Sequence, residues 1–550
     1  MRRNKHLLLW SSVATLALLV AAAAQENVFK DWRRLQHRTT GPDGALEVRL
    51  RQVVVPSLDV IDRCVTCHVG MAPGESSVPN NPVLAPHPPV VHDPAEFGCT
   101  TCHGGQGRAT ETDAAHGAVP FWPEPMLSRA HAYAGCGSCH THIAVPSFAA
   151  LGAGRSALER ADCLSCHKLD GRGGTLRPDG GGMEGPDLSL VGARGFRADW
   201  YEDHLRRRAA ATDRPWTTSF TDLDANERAN LDALLRSRVG APALVEGKAL
   251  FQSLGCRGCH RVNGVGGDDG PDLSEIGLRD PGRLDFTYVP GPRTVPSWLA
   301  EHFRAPARVV PGSLMPALGL TEPQIEMLTF YLLSLRPARV PEAFWPIDRI
   351  RALRFDEREF STDGATLYGS FCAACHGPQG QGMQYGGTTV FPAIGNPDFL
   401  ALATDEFLRE TVRQGRPGRR MPAWASPTGL RPEEIDRVVA YVRGLGRIQP
   451  EPDPKPTRWV VGDAAEGEVL FKRYCETCHG PDGRGREGPA LNNPVLLSTA
   501  TDTYLVETVR RGRRGTTMEG FRTASPTRPA LSDGEIEAVI SHLRRLQGGS

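Results

Sequence analysis

The chain has no net charge: 63 lysines and arginines stand against 63 aspartates and glutamates in 550 residues. A balanced chain sets up no global field, so neither nucleic acid nor an anionic membrane surface is expected as a partner. Aromatic residues are scarce at 7% and hydrophobic residues of all kinds reach 40%, while Gly numbers 60 and Pro 45. That balance is loop-rich and short of core-forming side chains, so something other than side chains is expected to fill the cores. Beyond the N-terminus no apolar run approaches the roughly 20 residues that span a bilayer. No cysteine follows that N-terminal run, which excludes a lipid anchor there. Nor is any cysteine spare, because all 14 fall into one recurring motif.

What is present begins with "MRRNKHLLLWSSVATLALLVAAAAQE". Arg2, Arg3 and Lys5 precede an apolar stretch over residues 7–24 that ends in small residues, the three-part pattern of a secretory signal. Residues 1–24 are therefore expected to be a signal peptide, with an uncleaved N-terminal membrane tether as the alternative. The protein is expected in the periplasm or on the outer face of the cytoplasmic membrane. The length suggests several domains, at about 100–200 residues each.

The motif is Cys-x-x-Cys-His, and it occurs seven times. Its thiols are Cys64 and Cys67, Cys99 and Cys102, Cys136 and Cys139, Cys163 and Cys166, Cys256 and Cys259, Cys372 and Cys375, and Cys475 and Cys478. The adjoining imidazoles are His68, His103, His140, His167, His260, His376 and His479. Two thiols one helical turn apart can form thioethers to the two vinyl groups of a haem while the next residue reaches the iron, which is the c-type attachment signature. Zinc pairs, redox dithiols or a disulfide framework would not need a histidine after every second cysteine. Seven covalently bound haem c groups are expected. On these motifs the chain resembles the multihaem cytochromes c, a resemblance that implies haem attachment outside the cytoplasm. Each porphyrin would supply the apolar surface that the composition lacks.

Successive first cysteines are 35, 37, 27, 93, 116 and 103 residues apart. Intervals below 40 residues leave too little chain to wrap a haem alone. A compact trihaem module over residues 25–150 is therefore expected, followed by single-haem units over 151–240, 241–337, 338–450 (with a linker) and 451–550. "GATLYGSFCAACHGPQGQG" matches "GEVLFKRYCETCHGPDGRG", and "GKALFQSLGCRGCH" follows with one extra residue. Leu367, Tyr368 and Phe371, like Leu470, Phe471 and Tyr474, recur at helical spacing before the motif. Ile435, Val438, Val439 and Val442, and then Ile536, Val539, Ile540 and Leu543, do so in closing helices. Thr321 with Gln324, and Ser532 with Glu535, predict capping boxes. This order of elements resembles the class I cytochrome c fold over residues 155–548, so the expected class is mainly α and loop-rich: a trihaem module plus a tandem array of four small all-α domains.

An iron with histidine on one side takes its potential largely from the ligand opposite. Met315, Met421 and Met518 stand in loops before the closing helices and are the candidates there. Aligning "DWYEDHLRRR" with "SWLAEHFRAP" pairs Trp200 with Trp298 and His204 with His302, and puts Thr217 where the next unit has Met315. Three readings stay open for the haem at His167: a five-coordinate iron, ligation by Met183 or His204, or a slipped alignment. The N-terminal module offers His87, His92, His116, His131 and His142 as distal ligands, with His37 further upstream, and bis-histidine coordination is expected. Its phrases around "HPPVVHDPAEFGCTTCHGG" resemble modules that accompany quinol-oxidising respiratory complexes. Arg416, Arg419 and Arg420, then Arg510, Arg511, Arg513 and Arg514, lie beside two of the methionines. They suit haem propionates, an acidic partner or a solvated loop.

The expected function is electron transfer from a membrane quinol-oxidising complex to an oxidase, a reductase or a soluble cytochrome. The alternative is a haem enzyme or gas-binding protein with an open iron at His167, where Asp213, Arg214 and His204 are at hand.

Overall fold

The computed structural model describes residues 2–88, 90–174, 185–206, 223–337, 340–385, 390–526 and 528–546. Met183, Thr217 and the rest of the loop at 215–222 lie outside them. The described chain is mainly helical, with four two-stranded antiparallel hairpins among the described residues.

Four helix pairs repeat along the chain, each joining the helix before a Cys-x-x-Cys-His motif to the helix that closes its unit. They are Phe148–Arg160 with Ala225–Arg236, Pro242–Ser253 with Glu322–Ser334, Gly364–Phe371 with Pro432–Gly446, and Ala464–Tyr474 with Asp533–Leu546. A glycine marks every crossing. An added Cβ would meet Asn230 O at 2.4 Å from Gly154, Met327 O at 2.6 Å from Gly247, Arg437 O at 2.5 Å from Gly364 and Ala538 O at 1.9 Å from Gly467. Only a residue without a side chain lets the two backbones approach so closely.

The apolar faces read from sequence are the buried ones. Leu367, Tyr368, Phe371 and Phe471 are buried, as are all eight aliphatic residues named above in the closing helices, whereas Leu470 and Tyr474 are half-buried at the edge. Both expected capping boxes form. Thr321 N donates to Gln324 Oε1 at 2.9 Å, and Ser532 N donates to Glu535 Oε2 at 2.7 Å while Glu535 N returns to Ser532 Oγ at 3.3 Å. The first of the four pairs starts at Phe148, N-capped by the Ser147 hydroxyl, three residues ahead of the boundary at 151.

After the fourth and fifth motifs the chain turns back in short hairpins, Lys168–Leu169 with Arg172–Gly173 and Arg261–Val262 with Val265–Gly266. Asp170-Gly171 and Asn263-Gly264 take positive φ at both turn positions, the tight turn whose twist matches the strands. The last two units share one hydrophobic core. They meet through matched parts: Asn396 Nδ2 donates to Arg514 O at 2.9 Å, and its counterpart Asn493 Nδ2 donates to Pro417 O, the counterpart position, at 3.1 Å. Phe407 and its counterpart Tyr504 pack ring to ring at 4.9 Å. Such reciprocity is the mark of an approximate two-fold relation between duplicated units.

The residues before 148 carry little core of their own. Two small clusters, Val53, Val55 and Val65, then Val69, Val83 and Leu84, are the buried hydrophobic groups around the first motif. At the N-terminus, Arg3–Glu26 is a helix long and apolar enough to cross a membrane, and none of it is buried.

Candidate haem sites

Each motif is a single helical turn. The His N–H bonds back to the first Cys carbonyl at 3.0 Å for His68 and His167, and at 2.9 Å for His103, His260, His376 and His479. That turn sets the two thiols on one face with the imidazole directly after them. All 14 thiols are free of disulfides. Among the described residues no three His, Cys, Asp or Glu side chains converge as a metal-binding group.

In four motifs the imidazole is held by a proline carbonyl. Nδ1 lies 2.8 Å from Pro186 O in His167, 2.8 Å from Pro271 O in His260, 2.9 Å from Pro392 O in His376 and 2.8 Å from Pro489 O in His479. The contact assigns the proton to Nδ1 and leaves Nε2 with its lone pair, the state a metal ligand needs. Burial lowers the pKa of His260, His376 and His479, opposed in part by those carbonyl bonds, which favours the neutral ring. Gly185, Gly270 and Gly488 press their backbone against the same rings, at 2.6, 2.5 and 2.9 Å from where a Cβ would stand. These prolines and glycines escaped the sequence reading: a Gly-Pro pair recurs in three of the four units, at 185–186, 270–271 and 488–489, whereas Pro392 follows Phe391, and the pair does not itself show that the carbonyl reaches the imidazole.

The motifs adjoin one another. The Cys64 and Cys99 thiols lie near enough to shift each other's pKa, and so do those of Cys259 and Cys375. Asp62, buried before the first motif, accepts from Cys99 N at 2.5 Å, from Thr100 N at 2.9 Å and from Thr100 Oγ1 at 2.8 Å, and so caps the second. Gly135 rests on the Cys102 carbonyl, and Gly137 of the third motif rests on Ser334 at the end of the fifth unit's closing helix. Arg349 Nη1 donates to Ser138 O at 2.6 Å, holding the third motif from the other side. Arg257, fully buried inside the fifth motif, pairs with Glu359 and donates to Val262 O and Val265 O, both at 2.8 Å.

Two histidines of the N-terminal module come opposite motif histidines, and a third, His116, lies near His68. His87 faces His103 with ring centroids 6.1 Å apart, and His92 faces His140 at 6.1 Å. Each of these pairs would place two imidazoles where they could hold one metal ion between them. Burial lowers the pKa of His68, and His116 is near enough to lower it further. The other two candidates make different contacts. His131 Nδ1 bonds the Ser128 hydroxyl at 2.9 Å. His142 also lies 6.3 Å from His140, but its Nδ1 is 3.1 Å from Cys139 O and its Nε2 is 3.0 Å from Asp348 Oδ2.

Met421 and Met518 sit in matching loops, half-buried, with their carbonyls accepting from Arg416 N at 2.8 Å and Arg513 N at 2.7 Å. Met315 is half-buried against the core of its own unit. The basic clusters are largely spoken for within the chain. Arg514 pairs with Asp398, Arg511 with Glu451 and Glu507, Arg510 with Glu507 and Asp533, and Arg420 with Asp269 across units. Arg416 differs: burial lowers its pKa to about 10, and its Nη1 is buried without a partner. Free thiol pairs, oriented imidazoles and an orphaned guanidinium N–H suited to a carboxylate together fit haem c and its propionates.

The description "Cytochrome c" matches residues 244–336, and "Cytochrome C oxidase, cbb3-type, subunit III" matches residues 361–442 and 462–543. The cbb3-type cytochrome c oxidase subunit CcoP of Rhodobacter capsulatus is 30% identical over 198 residues, 34% of this chain and 62% of that protein. Subunit FixP of Bradyrhizobium sp. is 31% identical over 196 residues, 34% of this chain and 61% of that protein. The chain thus spans less than two thirds of the relatives it matches. A chain of the Kuenenia stuttgartiensis reducing HAO-like protein complex superposes with a TM-score of 0.23 at 19% identity, over 33% of this chain and 94% of that one, and carries no argument. The matched segments are domains of the kind that bind haem c covalently.

Proposed function

We propose that this chain, whose domains match c-type cytochrome families, is a multihaem electron conductor of the cell envelope carrying seven haem c groups. Bound haem c supplies a one-electron iron couple. The chain's residues do the rest: paired cysteines fix the group, a proline carbonyl fixes the proximal imidazole, and the opposing side chain sets the potential. The observation that carries the proposal is the adjoining of the motifs: Asp62 beside the first caps the second, the third is wedged between the second and the fifth unit, and Gly255 before the fifth rests on Ala374 of the sixth.

His87, His92 and His116 are proposed as distal ligands to the sites of His103, His140 and His68, and Met315, Met421 and Met518 as those opposite His260, His376 and His479. Imidazole opposite histidine gives a lower potential than thioether, so electrons would enter at the N-terminal module and leave from the C-terminal units. A membrane quinol-oxidising complex is the proposed donor, and an oxidase, reductase or soluble cytochrome the acceptor. The apolar N-terminal helix supports export, with either removal of the segment or retention as a tether. The test is the mass of the purified chain together with its haem content. Seven thioether-linked haems per chain are expected, and a motif left as free thiols would remove that haem from the path.

A further inference from the structure

The fourth unit lacks a methionine where its neighbour has Met315, and what stands opposite His167 decides whether the site conducts or reacts. His204 is brought there: its ring centroid lies 5.8 Å from that of His167. This spacing is close to that of the two N-terminal imidazole pairs at 6.1 Å. His167 is already anchored through Nδ1 to Pro186 O at 2.8 Å, which leaves Nε2 for the iron.

Comparison with the next unit explains how a helix residue is re-aimed. There, in Val295–Arg304, a regular helix stacks His302 on Trp298, its i−4 neighbour, with ring centroids 4.8 Å apart and planes 8° from parallel. In the fourth unit the corresponding segment Tyr201–Arg206 is wound as a π-helical turn. Such a turn closes from i to i+5, so residues four apart no longer sit one above the other, and turns of this kind gather at functional positions. Trp200 accordingly stands edge-on to Tyr201 at 5.8 Å and to Phe196 at 6.4 Å instead of under the histidine. His302 also lies near its own motif histidine, His260, but its ring is stacked on Trp298, whereas the wider turn leaves the His204 ring paired with that of His167.

We propose that His204 is the sixth ligand of the haem attached at Cys163 and Cys166, replacing the missing methionine with an imidazole. The proposal rests on haem attachment at that motif. It makes the fourth site a low-potential, closed, conducting one, and it moves the divide between bis-histidine and methionine ligation to the junction of the fourth and fifth units.

The test uses the full, haem-loaded chain. In the wild type all haems are low-spin and the reduced protein binds no carbon monoxide. His204→Gly turns about one haem in seven high-spin and open to carbon monoxide, and added imidazole restores the low-spin signal. His204→Met keeps that haem low-spin and raises its potential, a response that a merely structural helix residue would not give. A wild-type chain with one carbon monoxide-binding haem overturns the proposal, as does a His204→Gly chain whose spin states are unchanged. A mass showing Cys163 and Cys166 unmodified overturns it for a separate reason, lack of attachment, and takes the count of seven with it.

Discussion

Gly152 and Gly154 lie two residues apart in the same helix, yet alanine at each should move stability in opposite directions. Gly152 is exposed with nothing within 4 Å of an added Cβ. Its replacement gains the helix propensity of alanine over glycine, about 0.5–1 kcal/mol. At Gly154 the same methyl would stand 2.4 Å from Asn230 O and 2.8 Å from Leu234 Cβ. The helices must part by about 1 Å to restore ordinary contact, and because the nearest atom is backbone no rotamer change relieves it. Overpacking of this kind costs about 1–3 kcal/mol. The upper part of that range applies, so after the propensity gain Gly154→Ala should lose about 1–2 kcal/mol. Because a chain of several units does not unfold in one step, the readout is hydrogen exchange of the amides in Phe148–Arg160, alongside denaturant melts of the holo-protein. Stabilisation by both substitutions, or by neither, would refute the assignment of these glycines to the crossing.

Asp62→Ala would orphan the Cys99 and Thr100 N–H groups it caps; about 1–3 kcal/mol should be lost, with incomplete haem loading at Cys99 and Cys102 visible by mass. Asp502 is buried, which disfavours its charge. The N–H groups of Val460 and Trp459 and the Arg544 guanidinium outweigh that and hold its pKa below the usual carboxylate value. Its stabilisation is therefore full above about pH 4 and lost as pH falls through the depressed folded pKa. Asp502→Asn should flatten the acid limb of the stability profile, and an unchanged limb would contradict this. Gly488→Ala places a methyl 3.0 Å from His479 Nδ1, loosening the bond to Pro489. A less basic imidazole should raise the potential of that one haem in a titration without changing its spin state.

The helix pairs and attachment turns were readable because their determinants are local. Cys, Cys and His fall within one turn, and the apolar residues before the motif and in the closing helices repeat every three or four positions. The distal histidines were readable only as a pool. His92 and His140 are far apart in the chain, and loops rich in Gly and Pro give no periodicity to say which will meet. His142, next but one to a motif histidine, had the same standing until Asp348, from a distant helix, came up against it. In the sequence His204 aligns with His302, which stands in a unit that already has its methionine, so the alignment did not single it out. The π-helical turn that separates them has no local signature. The proline carbonyls were invisible for a simpler reason: any residue has a carbonyl, and only the fold shows that this one reaches the imidazole.

The central claim is that ligand type divides the chain into a low-potential N-terminal part and a high-potential C-terminal part. A redox titration of the holo-protein followed by near-infrared magnetic circular dichroism, which distinguishes bis-histidine from histidine–methionine iron, tests it most directly. The account predicts four bis-histidine haems titrating below three methionine-ligated ones, with His204→Met transferring one from the first group to the second. Methionine-ligated haems at the lowest potentials would contradict it.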